Sequence, residues 1–262
     1  MTMVEGMTMP GLLFVHGAAG DARVWNPVIA ALPDGWEAEA ITLTYFGDTA
    51  WPDDGAGFGT AMHARDICEH AARLGGDVRL VCWSYAVHAG LEALRERPDL
   101  FAGAFFYEAG LPHYLSDAEE IERFTRDFKS CFGPVGAALK KDGPVAAVRA
   151  LIGPAFERMT PERRAIYESN SAMMPLLMGG GQAPAQIGPG ELAQIETPCR
   201  VAMGADTRLA FALPSRALAK GLPDCDLIEV PDAQHFLPET DPGRFAGLVE
   251  EWAGSVTERT LP

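Results

Sequence analysis

Short β-favouring apolar runs alternate along this chain with longer stretches of helical periodicity, and that alternation constrains the fold more than any other feature. GLLFV (11–15) is compact and followed closely by glycines, the pattern of a strand buried on both faces. WEAEAITL (36–43), VRLVCW (78–83), FAGAFFYE (101–108), RVAMG (200–204) and CDLIEV (225–230) read as five more strands. Helical patterns separate them. Residues 22–32 place Val24, Val28, Ile29 and Leu32 on one face; 60–74 closes on Gly75-Gly76, and 85–96 stops before Pro98. Further helices are expected at 214–221 and 241–254. Strands and helices in this order predict an α/β fold with a mostly parallel, doubly wound sheet.

Residues 113–190 break the rhythm. They carry several helical patterns punctuated by Gly143-Pro144 and Gly153-Pro154, and they close on GGGQAPAQIGPG. The economical reading is a helical cap (113–190) inserted into a core made of 1–112 and 191–262. Within the cap, Met173, Met174, Leu176, Leu177 and Met178 read first as core packing, with pocket lining left open by methionine's adaptable side chain. No internal repeat is visible.

The bulk properties exclude several roles. The 262 residues, 48% of them hydrophobic, suffice for one large core. A net charge of -15 repels phosphate backbones and anionic lipid, which argues against nucleic-acid and membrane-surface binding. Five scattered cysteines without a C-x-x-C pair frame neither a disulfide scaffold nor a zinc site. The opening MTMVEGMTMP lacks the positive start of a secretory signal, and no apolar run approaches the roughly 20 residues of a membrane helix. A soluble cytoplasmic protein without metal or cofactor is expected, with a homodimer left open.

In a parallel sheet, chemistry gathers at the carboxyl ends of the strands. There the chain places VHGAAG after the first strand, CWSYA after the third, YEAG after the fourth, MGADT after the fifth and DAQHFLP after the sixth. Ser84, between a strand and a helix, is either a nucleophile at a sharp turn or an ordinary helix N-cap. HGAAG lacks the lysine of a P-loop and the spacing of a dinucleotide-binding loop, so a phosphate cradle is a poor reading.

In motif and order, from about Gly11 to Trp252, these segments resemble the α/β-hydrolase superfamily. The resemblance implies Ser84 as nucleophile, although Cys82 and Ala86 stand where G-x-S-x-G has glycines. It implies His235 as general base, with Gln234 replacing a usual glycine, and the backbone amides of Ala18 and Tyr85 as an oxyanion hole. His16 then orders the loop. The acid has two candidates: Asp206, two residues after Gly204 where three is usual, and Glu108, at the end of the fourth strand as in some family members. Glu108 is preferred, because a carboxylate ending a buried strand is costly unless paired.

The expected activity is cofactor-independent hydrolysis of a hydrophobic carboxylic ester or lactone. Trp25, Tyr45, Phe46, Trp51, Met173, Met174, Met178 and Phe236 are the expected substrate contacts. The alternatives are a small-molecule-binding protein with a vestigial triad, or perhydrolase or hydroxynitrile-lyase chemistry on the same triad.

Overall fold

A computed structural model describes residues 11–260; the opening segment read above as non-secretory lies outside the described residues. Six strands, β1 (Leu12–Val15), β2 (Ala38–Ile41), β3 (Val78–Trp83), β4 (Phe101–Tyr107), β5 (Cys199–Gly204) and β6 (Cys225–Val230), form one sheet. Their order is β2-β1-β3-β4-β5-β6, and every neighbouring pair is parallel. The apolar runs occupy the middle: all of β1 and β3 is buried, while the edge strands β2 and β6 keep exposed positions. β2 is shorter than the 36–43 run, since only its four residues register with β1. The chain passes from β1 to one side of the sheet and returns to β3 on the other. The crevice where connections diverge lies between the carboxyl ends of β1 and β3.

Helices pack around the sheet. The first half carries α1 (Asn26–Ala30), α2 (Thr60–Arg73) and α3 (Tyr85–Glu96). The expected helix over 22–32 is split into a 3-10 turn (Ala22–Trp25) and α1. Pro27 has no amide to continue the preceding turn. Between β4 and β5 come α4 (Ala118–Asp142), α5 (Pro144–Ile152), α6 (Pro154–Arg158), α7 (Pro161–Ser169) and α8 (Pro189–Leu192). Gly143 (φ 88) and Gly153 (φ 61) turn the chain in conformations that suit glycine, and the prolines after them start the next helices.

After β5, α9 (Leu209–Gly221) begins earlier than expected and carries Pro214 inside it. Its first turn is buried, and Asp127 of α4 accepts a hydrogen bond from the Ala210 amide at 2.9 Å. The last helical stretch divides into α10 (Leu237–Thr240) and α11 (Pro242–Thr260).

The inserted helices are tied to the core at one side. Arg163 of α7 ion-pairs with Glu239 and donates to the carbonyls of Arg23 and Val24 at 2.9 and 2.8 Å. Buried Asn170 donates to Asp21 at 2.7 Å and accepts from the Gly47 amide at 2.5 Å. Among the described residues no helix is long and apolar enough to cross a membrane.

Candidate active site

Ser84 stands between β3 and α3 at φ 58 and ψ −114, a backbone conformation that L-residues adopt rarely and at a cost. Its side chain makes no hydrogen bond that caps α3, so the N-cap role is not realised. Ser84 instead lines a large cavity of about 1150 Å³ at the carboxyl edge of the sheet. Glycine's freedom to approach closely has moved away from the flanking positions 82 and 86. A Cβ on Gly17 would lie 3.3 Å from the Ser84 Cβ, and one on Gly90 would lie 2.7 Å from the Cys82 Sγ. Cys82 is therefore packing, and burial pushes its thiol well up.

His235 follows β6 in a loop held from below. The Trp83 indole donates to the His235 carbonyl at 3.0 Å, and the Tyr107 hydroxyl donates to the Gln234 carbonyl at 2.8 Å. The loop passes so close over the end of β5 that a Cβ on Gly204 would lie 2.1 Å from the Ala233 carbonyl oxygen. Phe211 stacks on the imidazole, with centroids 3.8 Å apart and planes 10° from parallel.

The His235 Nδ1 meets Glu108 Oε2 at 2.7 Å. Glu108 is fully buried at the end of β4, with φ 54. Its Oε1 accepts from the Gly204 amide and its Oε2 from the Thr207 hydroxyl, both at 2.8 Å. A carboxylate cannot donate, so the imidazole proton belongs on Nδ1, which leaves Nε2 as the ring's acceptor.

Asp206, the other candidate acid, is exposed at the cavity rim and does not join this cluster. Its own amide is bound to the Ala233 carbonyl at 3.1 Å, and the turn from Gly204 brings Thr207, one residue later, to the carboxylate. Sequence reading missed Thr207, Trp83, Tyr107 and Phe211, whose roles depend on which loops meet above the sheet.

The loop after β1 approaches Ser84 from the other side. Ala18 lines the cavity beside Tyr85, whose amide opens α3 and so has no carbonyl one turn back. His16 fixes this loop: its Nε2 accepts from the Leu43 amide at 3.1 Å, and its Nδ1 donates to the Gly17 carbonyl at 2.9 Å. His63 fixes the far end of the site, donating to the Thr44 carbonyl at 2.9 Å and accepting from the Tyr85 hydroxyl at 2.7 Å.

Burial lowers the pKa of both rings to about 4. Folded pKa values below the unfolded value mean that the unfolded chain binds more protons between about pH 4 and 6.5. Stability is thus fully present above about pH 6.5 and is lost as pH falls towards 4, by on the order of 2–3 kcal/mol for each ring. Urea unfolding at pH 7.5 and 4.5 checks this. The midpoint should fall clearly in the wild type and less in a His63→Gln variant; equal losses in both would contradict it.

Of the expected substrate contacts, only Met178 and Phe236 line the cavity. Trp25 is buried among Phe14, Trp83 and Phe245. Phe46 packs behind the loop after β1, on His16 and His63, while Tyr45 and Trp51 pack on each other. Met173 and Met174 are fully buried core residues. The aromatic wall comes instead from Phe128 and Phe132 of α4, stacked at 4.4 Å, together with Phe58, Tyr114 and Phe211. The spacing of Phe124, Phe128 and Phe132, one helical turn apart, was the available signal. Among the described residues no cluster of His, Cys, Asp or Glu is arranged to hold a metal ion.

Comparisons with known proteins agree with this architecture. A family model described as "Alpha/beta hydrolase family" matches residues 12–248. A haloalkane dehalogenase of Mesorhizobium japonicum is 23% identical over 274 residues, covering 98% of this chain and 88% of its own. The solved structure of esterase RhEst1 from Rhodococcus sp. ECU1013 superposes with a TM-score of 0.74 at 21% identity, covering 96% of this chain and 93% of that one. Est816, described as an N-acyl homoserine lactone degrading enzyme, superposes at 0.71 with 16% identity, covering 93% of each chain.

Proposed function

This chain belongs to the alpha/beta hydrolase family, and from that premise we propose that it is a serine hydrolase of hydrophobic carboxylic esters or lactones. The observation that carries the reading is the 2.7 Å contact of His235 Nδ1 with buried Glu108, in a loop that lines the same cavity as Ser84. Ser84 attacks the carbonyl carbon while His235 Nε2 takes its proton, and Glu108 stabilises the imidazolium that forms. The oxyanion of the tetrahedral intermediate is held by the amides of Ala18 and Tyr85, an arrangement worth a few kcal/mol of barrier lowering. The imidazolium then protonates the leaving alkoxide, leaving an acyl group on Ser84. A water molecule, deprotonated by His235, hydrolyses that ester and restores the serine.

The nucleophile supports esters and lactones over haloalkanes. Attack of a serine oxygen on an alkyl carbon would leave an ether, which water and a histidine cannot cleave; displacement of halide needs a carboxylate nucleophile. The apolar walls also suit a bulky acyl or aromatic group. The test is turnover of nitrophenyl esters of graded acyl length, aromatic lactones and bromoalkanes by the wild-type protein. The reading expects acid release from the esters or lactones, better with bulky apolar acyl groups than with acetate, and no halide release. Halide release without ester turnover would overturn it.

A further inference from the structure

We propose that Thr207 is a positioning residue for the reaction, holding the Glu108 carboxylate in the orientation that aims His235 at Ser84; the inference rests on the triad reading given above. Glu108 is wholly buried and receives three donors, but they are unequally divided between its oxygens. Oε1 is held by a backbone amide, that of Gly204, at 2.8 Å. Oε2, the oxygen that meets His235 at 2.7 Å, has the Thr207 hydroxyl at 2.8 Å as its other partner.

The turn that carries this hydroxyl is itself fixed at both ends. The Thr207 amide donates to the Gly204 carbonyl at 3.2 Å, and the Asp206 amide donates to the Ala233 carbonyl at 3.1 Å. Ala233 lies two residues before His235, so the turn bearing Thr207 and the loop bearing the base share one hydrogen-bonded frame.

Without the hydroxyl, Oε2 loses a donor in a buried place, and only the Gly204 amide on Oε1 and His235 itself still fix the carboxylate about its last torsion. The imidazole would then lose its fixed direction, while the cavity wall, to which Thr207 itself belongs, keeps its shape when a side chain of the same outline replaces it. Valine at 207 removes the hydroxyl and keeps the side chain's shape; serine keeps the hydroxyl.

The experiment compares Thr207→Val and Thr207→Ser with the wild type by kcat and KM on a nitrophenyl ester and by the low-field proton resonance of the His235 Nδ1–H. The valine variant should lose about tenfold in kcat, equivalent to about 1.4 kcal/mol, with KM within about twofold. Its low-field resonance should shift and exchange faster with solvent. The serine variant should retain both wild-type properties. A valine variant with wild-type kcat and resonance overturns the proposal, as does a serine variant that loses as much as valine. If the wild type turns over no ester, the triad reading fails, and the resonance comparison alone still decides what Thr207 does to the Glu108–His235 pair.

Discussion

Ser84→Ala should lower kcat on a nitrophenyl ester by about a millionfold, the effect expected when the nucleophile of a serine hydrolase is removed. The loss should come without unfolding. The Ser84 hydroxyl makes no helix-capping bond, so alanine removes no structural contact of that kind. Alanine has the same Cβ, and the turn's strained backbone already accommodates one. A residual rate above that of water should survive, because the oxyanion amides and the cavity remain. Kinetics and a thermal melt on the same preparation separate the two effects. A variant that retained its turnover would place the chemistry elsewhere.

Glu108→Gln is the second large effect. An amide at this position can offer its NH₂ to the imidazole, favouring the wrong tautomer, and it brings no charge to stabilise the imidazolium. Comparable replacement of a triad acid by its amide costs about ten-thousandfold in kcat, and a loss of that order is expected here. Asp206→Asn is the matched control, since Asp206 is exposed and outside the Glu108–His235 cluster. It should keep kcat within about twofold, because its carboxylate, although at the cavity rim, makes none of the hydrogen bonds of the Glu108–His235 pair. If the two variants exchanged these results, the acid would be Asp206.

Much of the fold was legible because buried parallel strands are short, apolar and separated by helices, so β1, β3 and β4 announce themselves one by one. The site was legible in part, because strand ends are where a sheet presents side chains, and that places Ser84, Glu108 and His235 on one edge without knowledge of their distances. Its walls were not. Tyr45, Phe46 and Trp51 follow β2 as an aromatic cluster that could belong to an entrance. In the fold Phe46 packs on His16 and His63, which sit behind the loop after β1 as buried neutral rings, while Tyr45 and Trp51 pack on each other. Met173 and Met174 read first as core packing with a pocket role left open, and in the fold both are fully buried in the core.

Thr207 was passed over for a different reason. It stands three residues after Gly204, where a carboxylate would be expected, and its hydroxyl signals a function only once Glu108 is seen beneath it. The missing glycines at 82 and 86 had a similar explanation in space. Close approach is needed around the Ser84 turn, and Gly17 and Gly90 provide it from neighbouring elements.

The most direct measurement of the central claim is the intact mass and peptide map of the protein after exposure to a fluorophosphonate. Such a reagent phosphonylates fastest a serine whose proton is taken by a neighbouring base and whose developing oxyanion is held. The account predicts a single adduct on the peptide that carries Ser84, absent in Ser84→Ala and strongly slowed in Glu108→Gln. An unlabelled wild-type protein that still hydrolyses esters, or a stable adduct on another residue, would contradict it.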